Sequence, residues 1–491
     1  MPRIYVETFG CQMNEADSQY IVDRAVDAGY AVAARPEDAN VVVLNTCTVR
    51  DRAERRAYGR MRHFKVLKDR DPAVRLVVTG CLAEQDRDHM QRLVPHVDAV
   101  FGTKELVELG DRLAAWQPEY DDLAPLSDER LASEALLAAP LGGNADGVAD
   151  AFSHLRAFVT VQRGCSYYCT FCIVPHVRGR FDHRPLDAIL GEARSSVAAG
   201  AREIMLVGQT VNAWRDASGN DFADLCRRLC HPEQASRDGT ERRRGNHTGL
   251  VPERVTFISP HPKDFTERMI AGFAEIEQLN PRIHLPLQSG SDAMLRRMNR
   301  KYTRAAFEER VTWIRRSLPE WAMTTDIIVG FPGETEEDFQ ATLDLVRAGV
   351  FANAFTFIYS QRRGTPAARW EQVPAEIAAD RFRRLVDAQN IVTRAYHDRK
   401  IGTMVRCLIA GPSKRDASKL AAKALDNVTV IAPKPADYDE ALYAREPWLD
   451  VAIESAHVWG CTGTIVRRAE RYAAYGKSVM LPQIDLVGMG S

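Results

Sequence analysis

Three apolar segments near the N-terminus each end in a cysteine. IYVETFGC, VVVLNTC and RLVVTGC have the composition of strands, and their last residues are Cys11, Cys47 and Cys81. The separations of 36 and 34 residues match the length of about one strand–helix unit. The pattern predicts a doubly wound parallel sheet over residues 1–118, in which the loops at the carboxyl ends of the strands converge on one side.

The middle of the chain alternates strand-like and helix-like segments. The strand-like segments are AFVTV, EIMLVGQTVN, VTFISPHP, RIHLPLQSGS, TTDIIVGFPGE and NAFTFIYS, and amphipathic stretches such as EEDFQATLDLVRAG separate them. This alternation predicts a parallel (β/α) barrel or partial barrel over residues 151–385. Gln209, His261, Gln288 and Asp326 fall at or near strand ends, where such barrels carry their chemistry. Hydrogen bonding inside the barrel mouth explains these four residues as well as catalysis does.

The C-terminal region changes to short β-like runs separated by Gly and Pro. TMVRCLIAG, NVTVIAP, LDVAIESAHVW and GTIVRR predict a small β-barrel over residues 386–468. Residues 119–150, rich in acidic residues, Ala, Gly and Pro, predict a linker or a short helical connection. The polar and basic residues 231–254 predict a surface insertion, and residues 469–491 form a tail to which we assign no role.

Composition and charge narrow the class of protein. With 491 residues, 45% hydrophobic and 27% charged, the chain is expected to form several globular domains. Its 65 Lys and Arg balance 66 Asp and Glu, which excludes a globally basic nucleic-acid binder but permits local basic patches. Neither a membrane-spanning run nor a signal peptide is found in the sequence, so we expect a cytoplasmic protein that does not associate with membranes. Separately, we expect a monomer.

Ten cysteines without an export signal favour metal binding or catalysis over disulfides. Cys165, Cys169 and Cys172 form the motif CxxxCxxC. Three thiolates this close together can hold three corners of a [4Fe–4S] cluster and leave the fourth iron open to a cofactor. A structural zinc site usually takes four ligands in paired knuckles, and no partner pair is visible in the sequence.

The three N-terminal cysteines predict a second cluster. Isolated cysteines are more often small buried hydrophobic residues. Their shared placement after three successive strands, with Gly10 and Gly80 at tight turns, favours a site with three thiolate ligands instead. The four remaining cysteines lack suitable partners in the sequence and are predicted to lie in the core; they are Cys226, Cys230, Cys407 and Cys461.

The central motif, with Phe171 at its aromatic position, resembles the radical S-adenosylmethionine signature. With TFGCQMNEADSQ, LNTCTVRDRAERR, TGCLAEQ, HLPLQSGSDAMLRRMNRKYT and DIIVGFPGETEEDF, it makes residues 2–410 resemble the methylthiotransferase family. The resemblance implies two [4Fe–4S] clusters. One, at the CxxxCxxC motif, would cleave S-adenosylmethionine, and the auxiliary one, at the dispersed cysteines, would hold the sulfur that becomes methylated. It also implies that the C-terminal barrel is an RNA-binding TRAM module.

The resemblance extends to the substrate. GCQMN and NTCTVR look like the branch that adds a methylthio group to C2 of N6-isopentenyladenosine beside the tRNA anticodon. The implied partners are tRNA, an electron donor and a sulfur source. Threonylcarbamoyl-adenosine in tRNA and a ribosomal-protein aspartate are the alternative acceptors. An iron–sulfur redox sensor is the non-enzymatic alternative, but it leaves the large barrel unexplained.

Overall fold

The computed structural model describes residues 1–48, 51–121, 152–231 and 250–469. Most of the predicted linker, insertion and tail lies outside these residues. The described chain forms two compact units. The first contains the described residues up to Ser166 and the segments Cys172–Asp182 and Val207–Gln209. The second contains Tyr167–Phe171, His183–Leu206 and the described residues from Thr210 onward.

A parallel five-stranded sheet with the order β2–β1–β3–β4–β5 forms the centre of the first unit. The strands are β1 (Arg3–Thr8), β2 (Ala31–Val32), β3 (Val41–Thr46), β4 (Arg75–Gly80) and β5 (Ala99–Phe101). The helices are α1 (Gln12–Asp27), α2 (Asp51–His63), α3 (Lys65–Arg70), α4 (Cys81–Leu93) and α5 (Leu106–Asp121). This is the predicted doubly wound topology, in which the strand order reverses between β1 and β3.

Helices cover both faces of this sheet. Tyr5 and Leu44 belong to a buried cluster with Met61 of α2, whereas Ile4 lies in a second cluster with Leu109 of α5. Every residue of β3 is buried. Burial on both faces explains why VVVLNT reads as a continuous apolar run rather than an alternating one.

Between the N-terminal sheet and the C-terminal barrel the strands are short. They are β6 (Arg156–Thr160), β7 (Gln162–Arg163), β8 (Asp182–His183), β9 (Glu203–Val207), β10 (Arg254–Phe257), β11 (Arg282–His284), β12 (Ala322–Val329) and β13 (Asn353–Ile358). β9 pairs in parallel with β10, and β12 pairs in parallel with both β11 and β13. The parallel strands alternate with helices, which confirms the predicted partial (β/α) barrel.

The described residues of this region contain eight helices. They are α6 (Val174–Val177), α7 (Leu186–Ala198), α8 (Phe222–Cys230), α9 (Glu267–Phe273), α10 (Asp292–Arg297), α11 (Arg304–Ser317), α12 (Glu336–Arg347) and α13 (Ala375–Asp398). Several begin at a side-chain cap. Thr335, for example, accepts a hydrogen bond from the backbone N–H of Asp338, whose carboxylate in turn binds the backbone of Thr335, so α12 starts with a reciprocal capping box.

A closed barrel ends the described chain, with the strand order β14–β15–β16–β18–β17. Its elements are β14 (Met404–Ser413), β15 (Asp416–Ala424), β16 (Thr429–Pro433), α14 (Glu440–Arg445), β17 (Trp448–His457) and β18 (Gly460–Ala469). The predicted small β-barrel is therefore confirmed. Within the second unit, Trp448 ties the barrel to the segment before β10, because its indole Nε1 donates a hydrogen bond to Glu253 at 2.6 Å. Across the described ranges, no helix combines the length and apolarity needed to cross a membrane.

Candidate iron–sulfur sites

Each dispersed cysteine follows the carboxyl end of a strand in one sheet. Cys11 comes after β1, Cys47 comes directly after β3, and Cys81 opens α4 directly after β4. These three strands are neighbours and run in parallel, so the cysteines lie along the same edge of the sheet. Cys11 and Cys47 flank the point where the strand order reverses, which is the usual ligand site of this topology.

Two glycines at tight turns allow these loops to approach each other closely. A Cβ atom on Gly10, whose φ is +133°, would lie 3.0 Å from the Sγ of Cys47. Gly80 has a φ of +98°, and a Cβ there would overlap the backbone of Thr46. Only glycine adopts such conformations readily, which explains why glycine precedes Cys11 and Cys81.

A buried amide pair ties the first two cysteine loops together. Asn14 donates hydrogen bonds from Nδ2 to Asn45 Oδ1 and to the carbonyl of Thr46, each at 3.0 Å. Asn45 donates in return to the carbonyl of Asn14 at 2.8 Å. The Sγ of Cys11 lies 3.5 Å from Asn14 Oδ1. These contacts fix the loop after β1 against the loop after β3.

A buried arginine contacts the third cysteine. Arg178 donates from Nε to Cys81 Sγ at 3.2 Å and from Nη2 to Asp17 at 2.8 Å. Burial raises the pKa of the Cys81 thiol, and the guanidinium opposes that shift. The sequence analysis missed Arg178, although it follows the CxxxCxxC motif by six residues, because nothing in the sequence joins it to Cys81.

The loop of the CxxxCxxC motif is held in a strained conformation. Tyr168 has a φ of +51°, which is uncommon for a residue with a side chain. Asn299 stabilises it by donating from Nδ2 to the carbonyls of Tyr167 and Tyr168, at 3.2 and 2.8 Å. Strain of this kind concentrates at functional sites.

A second buried arginine contacts this loop. Arg300 donates from Nη1 to Cys169 Sγ at 3.4 Å and from Nη2 to the carbonyl of Pro286 at 3.2 Å. Cys169 is buried, whereas Cys165 and Cys172 are partly exposed. Each cysteine triple therefore includes one thiol that accepts a hydrogen bond from a buried guanidinium. Arg300 was also missed from the sequence.

His261, one of the predicted strand-end residues, is buried beside the same loop. Its ring lies 4.3 Å from the ring of Tyr167, and its Nδ1 accepts a hydrogen bond from the backbone of Lys263. Its Nε2 is buried without a hydrogen-bond partner. Burial, with Arg300 and Lys263 nearby, lowers the pKa of His261 well below its usual value, so the ring is neutral.

The other three strand-end residues have different surroundings. Gln288 has a φ of +70°, and its backbone pairs with Asp326 and Ile328. The carboxylate of Asp326 lies 3.2 Å from Nε2 of His284, a partner that the sequence analysis did not identify. Gln209 is half-buried and belongs to the first unit, whereas His261, Gln288 and Asp326 belong to the second.

The thiols of the two cysteine triples are not arranged around a single metal ion. In the part of the chain that the structure describes, no group of three or more His, Cys, Asp or Glu side chains is arranged to hold a metal ion. A cubane cluster differs from a mononuclear site because each cysteine binds a separate iron. All ten cysteines are free of disulfides, so the six predicted ligands have the required chemistry. The other four are buried, as predicted.

Comparison with known proteins decides the family. The family described as "Uncharacterized protein family UPF0004" matches residues 3–102, and the Radical SAM superfamily matches residues 159–346. A tRNA-2-methylthio-N(6)-dimethylallyladenosine synthase of Syntrophotalea carbinolica is 39% identical, over 86% of this chain and 91% of its own length. The chain belongs to the methylthiotransferase family of radical S-adenosylmethionine enzymes. This confirms the resemblance found in the sequence.

Other relatives of this methylthiotransferase carry the same name. The protein of Acidothermus cellulolyticus is 43% identical, over 87% of this chain and 82% of its own, and that of Desulfitobacterium hafniense is 36% identical, over 96% and 98%. Among solved structures, the radical S-adenosylmethionine methyltransferase TsrM of Kitasatospora setae has a TM-score of 0.53 at 15% identity, over 75% of each chain. That similarity supports the fold.

Proposed function

We propose that this methylthiotransferase adds a methylthio group to C2 of N6-isopentenyladenosine in tRNA. The observation that carries the proposal is the near full-length match to relatives named for this reaction, 36% to 43% identical to the chain. The matched family models cover both cysteine triples. A reaction at an aromatic C–H bond without an acidic proton also calls for radical rather than acid–base chemistry.

We propose that the two triples hold two [4Fe–4S] clusters. Cys165, Cys169 and Cys172 would hold the cluster that binds S-adenosylmethionine, and the auxiliary cluster would be held by Cys11, Cys47 and Cys81. When bound, the two clusters and S-adenosylmethionine would supply the substrate radical and the sulfur and methyl group to be transferred. Three thiolate ligands leave one iron of each cluster open, as both tasks require.

The chain's own residues orient the ligands. Arg300 and Asn299 hold the motif loop through Cys169 and through the carbonyls of Tyr167 and Tyr168. The neutral His261, buried at Nε2 without a partner, offers a hydrogen-bonding atom to a ligand seated beside Tyr167. Arg300 and His261 are both buried, so their contacts form away from bulk water.

RNA contacts are proposed for the C-terminal barrel, which corresponds to the TRAM module of the resemblance. Lys414 and Arg415 are exposed at the turn between β14 and β15, where phosphate contacts are unobstructed. Arg467 and Arg468 of the same barrel instead form ion pairs with Asp450 and Glu446. The first pair therefore fits RNA binding better.

An anaerobic assay tests the proposed function. The reconstituted enzyme, S-adenosylmethionine, a reductant and a sulfide source are incubated with isopentenylated tRNA or unmodified tRNA, and the nucleosides are analysed by mass spectrometry. We expect 2-methylthio-isopentenyladenosine from the first tRNA alone, and none with a Cys165→Ala variant. A product from tRNA bearing threonylcarbamoyl-adenosine, with none from isopentenylated tRNA, would overturn the substrate assignment.

A further inference from the structure

Arg178 divides its guanidinium between a cysteine and a carboxylate. Nε faces Cys81 Sγ at 3.2 Å, while Nη2 faces Asp17 Oδ2 at 2.8 Å and Asn14 Oδ1 at 3.5 Å. The side chain is only 5% exposed and that of Asp17 only 2%. A buried charge needs such partners, because an unpaired one loses its hydration without compensation.

Asp17 fixes the direction in which the guanidinium points. It lies on α1, one turn after Asn14, and it is buried against the cysteine edge of the sheet. Its other oxygen lies 3.8 Å from Arg163, whose side chain is 36% exposed. Asp17 therefore has two cationic neighbours, of which only Arg178 has a hydrogen bond to a cysteine among the contacts described.

A hydrogen bond from a cation to a thiolate ligand changes the reduction potential of the cluster that the thiolate holds. Donors to cluster sulfurs raise the reduction potential, because they stabilise the more negative, reduced form. An ion pair with Asp17 alone would not require Nε to face Cys81. The same arrangement occurs in the second unit, where Arg300 donates to Cys169.

We propose that Arg178 is a positioning residue for the auxiliary cluster, which holds the Cys81 thiolate in place and raises the reduction potential of that cluster. The inference rests on the proposed ligand set Cys11, Cys47 and Cys81, and not on the identity of the RNA substrate. Asp17 supports the role by anchoring the guanidinium edge opposite the sulfur. Arg178 takes no part in bond making.

The experiment isolates the auxiliary cluster in the full-length chain. A background in which Cys165, Cys169 and Cys172 are replaced by Ala retains one cluster, so iron content reports the ligand set and the midpoint potential reports the sulfur environment. In that background, Asp17→Asn combined with Arg178→Gln removes one positive and one negative charge and leaves the net charge unchanged. Arg163→Gln is the matched control, because Arg163 also faces Asp17 but has no described contact with a cysteine.

We expect about four irons per chain in the background and in the control, with equal potentials measured by EPR-monitored redox titration. The Asp17→Asn/Arg178→Gln variant should have a reduction equilibrium constant roughly tenfold lower, a shift of about 59 mV for one electron. An unchanged potential in this variant would overturn the proposal. Loss of iron with an unchanged unfolding temperature would support it.

A third variant covers the case in which the double variant does not fold. Arg178→Lys keeps a cation beside Asp17, but its single ammonium replaces the Nε–H that faces Cys81. We expect a folded chain with a lower potential, and a potential equal to the background would overturn the proposal. A background without auxiliary iron would contradict the ligand set instead. If the proposed function is wrong, a different measurement will show it: the wild-type enzyme will form no methylthiolated nucleoside.

Discussion

Gly10 lies directly against Cys47. A Cβ atom at residue 10 would lie 2.5 Å from the Cβ of Cys47, and the φ of +133° is strained for any residue with a side chain. We therefore expect Gly10→Ala to displace Cys47 and to lower the iron content of the reconstituted enzyme from about eight to about four per chain. The free energy of unfolding should fall by about 1–3 kcal/mol. Iron analysis and chemical denaturation measure the two effects.

The matched control for this substitution is Gly59→Ala. Gly59 lies within α2, and a Cβ there would meet nothing within 4 Å. Since alanine is the better helix former, this variant should keep its iron and gain up to about 1 kcal/mol of stability. A Gly10→Ala enzyme that retains all its iron would show that the turn does not position a ligand.

The two cysteine triples should each account for half of the iron. We expect about eight irons in the reconstituted enzyme and about four after Cys165, Cys169 and Cys172 are all replaced by Ala. Replacing Cys226 and Cys230 by Ala is the control, since both are buried in the helical core, and it should leave the iron count unchanged. Full iron in the first variant would refute the assignment of those ligands.

Local signals explain what the sequence predicted correctly. The runs before Cys47 and Cys81 are rich in Val and Leu, which marks buried strands without knowledge of the rest of the fold. β15 was missed because its sequence, DASKLAAKA, favours a helix by composition. Pairing with β14 and β16 in a closed barrel overrides that preference.

Residues far apart in sequence explain what was missed at the site. Arg178 lies 97 residues from Cys81, and Arg300 lies 131 residues from Cys169. Nothing in the spacing of an arginine and a cysteine at such distances indicates contact, since folding alone brings them together. Asp326 was identified from its place in a strand, but its partner His284 comes from the neighbouring strand β11.

His261 should make stability depend on pH. Burial lowers the pKa of this histidine below its unfolded value, so the folded state binds the proton more weakly. The contribution of neutral His261 to the free energy of unfolding is fully present above about pH 6.5. It decreases as the pH falls, by up to about 1.4 kcal/mol per pH unit. Urea denaturation at pH 7.5 and 5.0 should therefore show a smaller difference for His261→Asn than for the wild type.

The exposed His63 provides the control for this pH effect. His63→Asn should leave the difference between the two pH values as it is in the wild type. Equal differences for His261→Asn and the wild type would mean that protonation of His261 does not limit stability at low pH.

Arg254 should be important for attachment of the C-terminal barrel. Its buried guanidinium lies 3.5 Å from Glu203 and donates to the carbonyls of Lys423 and Leu425, each at 3.4 Å. Arg254→Met leaves the carboxylate of Glu203 buried without its cation, so we expect a loss of about 3–5 kcal/mol by chemical denaturation. The double variant Glu203→Gln/Arg254→Met should recover part of that loss.

The exposed Arg268 is the control for the loss of the buried Arg254 ion pair. Its side chain is 71% exposed and pairs with Asp221, so Arg268→Met should cost at most about 1 kcal/mol. Similar losses for the Arg254→Met and Arg268→Met variants would contradict a special role for the buried pair.

The different spacing of the two cysteine triples predicts an order in which the two proposed clusters are inserted. Cys165, Cys169 and Cys172 lie within eight residues, so a newly synthesised chain can capture iron there before it folds. Cys11, Cys47 and Cys81 become neighbours only after β1, β3 and β4 have paired. If these six cysteines hold the two proposed clusters, we expect the auxiliary cluster to be inserted only after the N-terminal sheet has folded. Iron-starved cells should then accumulate chains that lack this cluster first.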